Sequence, residues 1–403
     1  VDPGSRYLFD RKTGNAELLY RSRPNLPSKD LASMKPVRYS SRDGMTIPAY
    51  LVSPKGIPAK ILPTVMLIHG GPWGRVPWGY NSEAQFLANR GYAVLIPNFR
   101  GSTGYGKKFL NAGNKQWGTG YMQHDISDGV KYLIKEGVAD PKRVGIYGGS
   151  YGGYATLAGL TFTPELYAAG VSYVGPSNII TLLNTIPPYW APVKKIFDVR
   201  VGDQNNPEDQ KRLAEQSPLN SAKNIRVPLL VVQGANDPRV KKAESDQIVV
   251  AVREQAKPVE YLVAPDEGHG FVGRENRLAF YTAQERFFAK HLGGRFQVSV
   301  TPEVQKKLTA LTVDVRTVTM PAMPKTEAAP SAMSAFSGAM VKPATARYAT
   351  KMSMMGQEIN ITTTRSIAEA SVEGRKVWRV VEESTSPMGA GVDTLDLDGT
   401  TLL

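Results

Sequence analysis

Ser150 stands where a serine can be made to attack. The stretch Tyr147-Gly148-Gly149-Ser150-Tyr151-Gly152-Gly153 has the pattern G-x-S-x-G, after a strand-like run at 143–147 and before a helix-like stretch at 154–160. That context makes a nucleophile elbow: the serine sits in a strained turn, and neighbours without side chains let strand and helix close around it. Its hydroxyl then projects beyond the sheet edge at the positive end of the new helix. A serine hydroxyl is a poor nucleophile until a base takes its proton. The chain has four histidines. His69 ends a strand before Gly70-Gly71-Pro72, a place suited to shaping a loop. His124 precedes an amphipathic helix, and His291 closes one, where a cation suits the C-terminus. His269, in Pro265-Asp266-Glu267-Gly268-His269-Gly270-Phe271, follows the last strand between glycines and is the candidate general base. The acid that fixes its tautomer is sought after the preceding strand, where 229–236 leads to Asp237 on a loop. Asp266 and Glu267 are nearer in sequence, but each would have to fold back along one short loop. A tetrahedral oxyanion needs two donors in place. One is the N–H of Tyr151; the other comes from His69-Gly70-Gly71-Pro72, with Gly71 favoured over Gly70.

These residues need a scaffold, and the chain from about Pro36 to Gly294 supplies its pattern. Apolar runs at 64–68, 93–97, 144–147, 168–173, 229–232 and 259–263 alternate with helix-like stretches at 125–135, 151–160, 243–254 and 275–291. Buried parallel strands read as continuous Val/Ile/Leu runs, with helices over both faces. The expectation is an α/β fold: a doubly wound, mostly parallel sheet of the α/β-hydrolase type, whose chain order of Ser, Asp and His this sequence repeats. Residues 1–35 read as a β-hairpin, turning at Lys12-Thr13-Gly14-Asn15, and a proline-punctuated linker; 36–295 form the α/β domain. Residues 296–346 read as a linker, partly disordered. Residues 347–403 read as a small β-rich module, a meander turning at Met355-Gly356-Gln357, Glu373-Gly374-Arg375 and Leu397-Asp398-Gly399, possibly incomplete at its end.

Composition removes other classes. The chain has no cysteine, which excludes disulfides, thiolate metal sites and a cysteine nucleophile. No stretch approaches the roughly 18 consecutive apolar residues of a membrane-spanning helix. The net charge of +13 raises a nucleic-acid partner, but the Lys and Arg residues are spread along the chain with no basic run interleaved with aromatics; scattered surface charge is the reading. No metal or organic cofactor is implied. The N-terminus has neither an initiator Met nor the apolar run of a signal peptide, so no address can be read from it.

Five stretches in order, His69-Gly70-Gly71-Pro72, Asn98-Phe99-Arg100-Gly101-Ser102-Thr103-Gly104-Tyr105-Gly106, 148–153, 233–240 and 267–271, resemble the peptidase domain of the prolyl oligopeptidase family, especially its acylaminoacyl-peptidase and dipeptidyl-peptidase-like branches. The resemblance spans about residues 5–294. It implies a catalytic domain preceded by a β-propeller that screens substrates by size, with the hairpin at 5–25 as the end of its last blade, and so the C-terminal part of a larger enzyme. It implies a serine peptidase acting on a peptide substrate. By position, Arg239 matches an arginine that binds a substrate backbone carbonyl, a surface salt bridge being the plainer alternative. Tyr173, Tyr189, Trp190, Phe197 and Val240 are candidates for the apolar pocket that receives the residue before the cleaved bond, with plain core as their alternative. A carboxylesterase using the same triad, and a binding or scaffold protein with an idle hydrolase, are the competing readings.

Overall fold

Continuous apolar runs become the buried middle of one sheet. The structure, a computed structural model, describes residues 2–186, 194–322, 341–354, 357–386 and 389–398. The chain divides into two units, Val1–Pro324 and Lys325–Leu403. The first opens with an antiparallel hairpin of β1 (Ser5–Phe9) and β2 (Ala16–Arg21), whose Tyr7, Leu8, Phe9, Leu18, Leu19 and Tyr20 are all exposed. The strands β3 (Met34–Ser40), β4 (Thr46–Val52), β5 (Leu62–Ile68), β6 (Ala93–Pro97), β7 (Ala139–Gly149), β8 (Ala169–Tyr173), β9 (Leu229–Gly234) and β10 (Val259–Ala264) make an eight-stranded sheet in the order β10-β9-β8-β7-β5-β6-β4-β3. From β10 to β6 the pairs are parallel; β4 and β3 join antiparallel at the other edge. This is the α/β-hydrolase architecture. The runs expected from the sequence correspond to β5 to β10. They omit β3, where only Met34 and Tyr39 are buried, and β4, whose buried residues are interrupted by half-buried ones; neither runs continuously apolar.

The helices are α1 (Ser82–Asn89), α2 (Lys107–Asn111), α3 (Tyr121–Lys135), α4 (Tyr151–Phe162), α5 (Ile179–Asn184), α6 (Lys194–Arg200), α7 (Pro207–Glu215), α8 (Lys242–Glu254), α9 (Arg274–Leu292) and α10 (Pro302–Leu311). Because successive strand residues face opposite sides, the core is two layers. Met66, Ile146 and Val231 pack with Ile126, Leu157 and Ile248 of α3, α4 and α8. Val65, Tyr147 and Leu230 pack with Leu87, Phe287 and Phe288 of α1 and α9. Strands therefore end at one rim, where the loops after β5, β7, β9 and β10 meet.

The stretch after residue 296, expected as linker, is structured over its first part. The Thr301 side chain caps α10, Val304 and Leu311 are buried, and the Val313 N–H donates to the Tyr261 carbonyl on the edge strand β10. Arg253 Nη1 donates to the carbonyls of Val315 and Val318 at 2.6 and 2.7 Å. The second unit is a meander of β11 (Ala344–Met354), β12 (Gln357–Val372), β13 (Arg375–Ser386) and β14 (Gly389–Asp398), each antiparallel to the next. The pairs Arg365–Glu382 and Arg379–Asp396 lie across neighbouring strands. No helix among the described residues is long and apolar enough to cross a membrane.

Candidate active site

Ser150 connects β7 to α4 with φ 58° and ψ −121°, a backbone conformation that side chains disfavour. Its N–H donates to the Tyr173 carbonyl at 2.8 Å and its carbonyl accepts from Tyr154 N–H at 3.0 Å, which holds the turn. Three of the glycines around it, Gly148, Gly152 and Gly153, are sterically required. A Cβ on Gly152 would stand 2.1 Å from the Ile68 carbonyl oxygen, and one on Gly148 2.5 Å from the same atom. On Gly153 it would lie 2.7 Å from the Gly175 Cα.

The structure brings Ser150, His269 and Asp237 into one line. The Ser150 hydroxyl donates to His269 Nε2 at 2.9 Å, and His269 Nδ1 donates to Asp237 Oδ2 at 2.7 Å. The Asp237 side chain is fully buried. Its second oxygen accepts the N–H groups of Arg239 and Val240 at 2.8 and 2.9 Å, and Gln233 Nε2 reaches Oδ2 at 3.3 Å. With its lone pairs so engaged, the carboxylate is turned in one direction only, toward the imidazole. The nearer acids do other work. Glu267 is buried and accepts from the N–H groups of Val272 and Gly273 and from Asn276 Nδ2, folding the loop that carries His269. Asp266 accepts from the same Asn276 amide.

Gly71 and Tyr151 lie with Ser150 on one cavity, and neither N–H has an acceptor among the described residues. Gly71 has φ 124°, and a Cβ there would stand 2.8 Å from Trp73 N, so this loop position needs glycine. The loop is tied from behind. His69 Nδ1 donates to the Gly70 carbonyl at 2.8 Å, which leaves Nε2 to accept from the Ser102 hydroxyl at 3.0 Å; the ring stacks on Phe99. Burial pushes the His69 imidazole down to about 4, so it is neutral at neutral pH. Asn98 holds both backbone groups of Val76, and Thr103 N–H donates to the Gly74 carbonyl. Arg100 anchors this supporting stretch with bidentate pairs to Asp125 and Asp43. Those bonds hold the Asp43 carboxyl down at about 2.

The cavity beside Ser150, of about 330 Å³, has mostly apolar walls that include Trp73, Pro176, Leu182, Ile186, Phe197 and Val240, with Arg239 and His269 also lining it. Of the pocket candidates, Phe197, Val240 and Arg239 are on it. Tyr173 is not. It ends β8 facing α9, its ring stacked on Phe280 and its hydroxyl accepting from Phe271 N–H, so it buttresses the His269 loop. Tyr189 and Trp190 lie outside the described residues. Trp73, Pro176 and Leu182 escaped the sequence reading; Trp73 directly follows the His69–Pro72 loop, and that adjacency was the available signal. Among the described residues no group of three or more His, Cys, Asp or Glu side chains is placed to share a metal ion.

A hydroxyl aimed at an imidazole, that imidazole backed by a buried carboxylate, and two N–H groups without an acceptor among the described residues are the parts that acyl transfer requires. The model of the prolyl oligopeptidase family matches residues 78–295. The chain is 51% identical over 296 residues to dipeptidyl aminopeptidase BIII of Pseudoxanthomonas mexicana, covering 72% of this chain. It is 42% identical over 318 residues to dipeptidyl peptidase family member 6 of Caenorhabditis elegans, covering 73% of this chain. It spans 43% of the length of each of these relatives. Among solved structures, a puromycin-hydrolysing peptidase of Mycobacterium tuberculosis superimposes with a TM-score of 0.67 at 30% identity, over 73% of this chain and 45% of that one. An acylaminoacyl peptidase in complex with Z-Gly-Gly-Phe-chloromethyl ketone gives 0.63 at 27% identity, over 76% and 49%.

Proposed function

The chain belongs to the prolyl oligopeptidase family, and from that premise we propose that it is a serine peptidase that cleaves short peptides through an acyl-enzyme on Ser150. The observation that carries this is the hydrogen-bonded line from the Ser150 hydroxyl through His269 to the buried Asp237. In the proposed reaction Ser150 Oγ attacks the scissile carbonyl while its proton passes to His269 Nε2. Asp237 keeps Nδ1 protonated and stabilises the imidazolium. The oxyanion takes the N–H groups of Tyr151 and Gly71. The imidazolium then gives its proton to the leaving amine, and the C–N bond breaks. Water, deprotonated by the same His269, hydrolyses the ester and returns the proton to Ser150. Arg239, which lines the cavity, is assigned to a substrate backbone carbonyl, and the Phe197 and Val240 walls to the side chain before the cleaved bond. The names of the two relatives favour removal of dipeptides as the mode of cleavage.

The test is hydrolysis of dipeptidyl p-nitroanilides beside p-nitrophenyl acetate by the 403-residue chain. Both activities are expected to vanish in Ser150→Ala, and Asp237→Asn is expected to lower kcat about a thousandfold or more by favouring the wrong imidazole tautomer. Arg239→Ala should weaken anilide cleavage and spare the acetate. Anilide cleavage that survives Ser150→Ala would overturn the reading, and cleavage confined to the ester would leave an esterase in its place.

A further inference from the structure

One buried carboxylate beside the cavity takes no part in the proposed chemistry. Glu244, in the first turn of α8, is 2% exposed. Its Oε2 accepts from Ser177 N–H, Asn178 N–H and Gln247 Nε2, each at 2.9 Å, and its Oε1 is bonded to the Thr181 hydroxyl. The Ser177 hydroxyl returns a bond to the Glu244 carbonyl at 2.7 Å. Burial raises the Glu244 carboxyl above its usual range, and the donors oppose that rise. A cluster of donors gathered on one buried acceptor is costly to dismantle, because each would be left without a partner.

The elements so joined both contribute to the lining of the cavity. Pro176 directly precedes Ser177, and Leu182 follows Thr181 on α5; both line the cavity. Arg239 and Val240, on the segment that leads into α8, line it as well. The next residue, Ser245, donates to Gln233 Oε1 at 2.8 Å, and Gln233 Nε2 in turn holds the Val240 carbonyl at 3.0 Å. The first turn of α8 thus grips one wall through Glu244 and the other through Ser245.

We propose that Glu244 is a positioning residue for substrate: by gathering Ser177, Asn178 and Thr181 it fixes the Pro176–Leu182 wall against the Arg239–Val240 wall and so sets which side chain fits before the cleaved bond. This rests on Ser150 being the nucleophile. Glutamine can serve in its place. Its carbonyl keeps the three donors of Oε2, and its NH₂ can donate to Thr181 Oγ1, whose own hydroxyl has the Asn178 carbonyl at 3.1 Å. Alanine cannot, and it leaves two backbone N–H groups stranded.

The test compares Glu244→Ala, Glu244→Gln and the milder Thr181→Val in the full chain. It uses dipeptidyl p-nitroanilides ending in Ala or Leu, with kcat and KM separated, and the rate of Ser150 labelling by a small fluorophosphonate that leaves the cavity unfilled. Glu244→Ala is expected to raise KM about tenfold for the better substrate and to flatten the Ala/Leu preference, with labelling changed by no more than about twofold. Thr181→Val should shift the preference in the same direction by about threefold, and it carries the test if the alanine variant fails to fold. Glu244→Gln should restore both parameters. An unchanged preference in the folded variants, or labelling that falls in step with anilide turnover, overturns the proposal. If the parent chain takes no label on Ser150, the reading of the nucleophile has failed, and this proposal falls with it.

Discussion

Ser150 and His69 are each held in a state that a free residue would leave. The serine backbone lies in a region that costs a side-chain-bearing residue about 1–3 kcal/mol, and it persists because Tyr173 and Tyr154 bond both its peptide groups. His69 is kept neutral by burial, with an ordinary value of 6.5 lowered to about 4. The consequence for stability has a definite sign. Above the ordinary value neither folded nor unfolded chain binds a proton there. As pH falls from 6.5 toward 4 the unfolded chain takes up a proton that the folded one refuses, so stability is lost through that window, by about 3 kcal/mol from this residue. Below it the contribution is flat. In His69→Gln that component disappears: the urea midpoints of parent and variant, compared at pH 7 and at pH 4.5, should converge on acidification. Parallel midpoints would show that His69 does not carry the slope.

At the scale of elements, the elbow is a close approach of backbones that tolerates no side chain. A methyl on Gly152 would meet a backbone carbonyl at 2.1 Å, which no rotamer change relieves. Gly152→Ala is expected to cost about 3 kcal/mol or more and to abolish turnover. Gly14→Ala, at φ 72° in the first hairpin with nothing within 4 Å, should cost about 1 kcal/mol from the backbone alone. Thermal midpoints of the two variants decide it, and equal shifts would contradict the packing account. The same physics explains what was legible beforehand. Strand ends and glycine turns are local, so the places of Ser150, His269 and Asp237 could be read from runs and loops. The cavity wall is assembled from Trp73, Pro176, Leu182 and Phe197 on separate loops and short helices, and no spacing announces such a meeting. Tyr173 shows the ambiguity: a strand-end aromatic can face either side, and this one packs on α9. The strands β3 and β4 were missed because half-exposed antiparallel strands lack a continuous apolar run.

Over the whole molecule, one sheet sets the geometry and its margins set the exceptions. Segment 302–318 lies along the β10 edge, where Thr312 bridges Leu262, and an edge strand covered in this way cannot pair with another chain there. Its one helix runs for ten residues, too brief for a sustained periodic pattern in the sequence. The exposed apolar side chains of the β1–β2 hairpin lie at the other extreme, on a strand pair too small to be stable on its own merits. The family match runs over residues 78–295, a span that contains the elbow at Ser150 and the loops of Asp237 and His269, whereas Gly71 lies ahead of it.

Ser150 as nucleophile is tested by treating the 403-residue chain with diisopropyl fluorophosphate and locating the adduct by peptide mass spectrometry. One adduct on the peptide that contains Ser150, absent in Ser150→Ala and formed at least about a hundredfold more slowly in His269→Ala, is the predicted result. An adduct on another residue, or one on Ser150 whose rate is indifferent to His269, would contradict it.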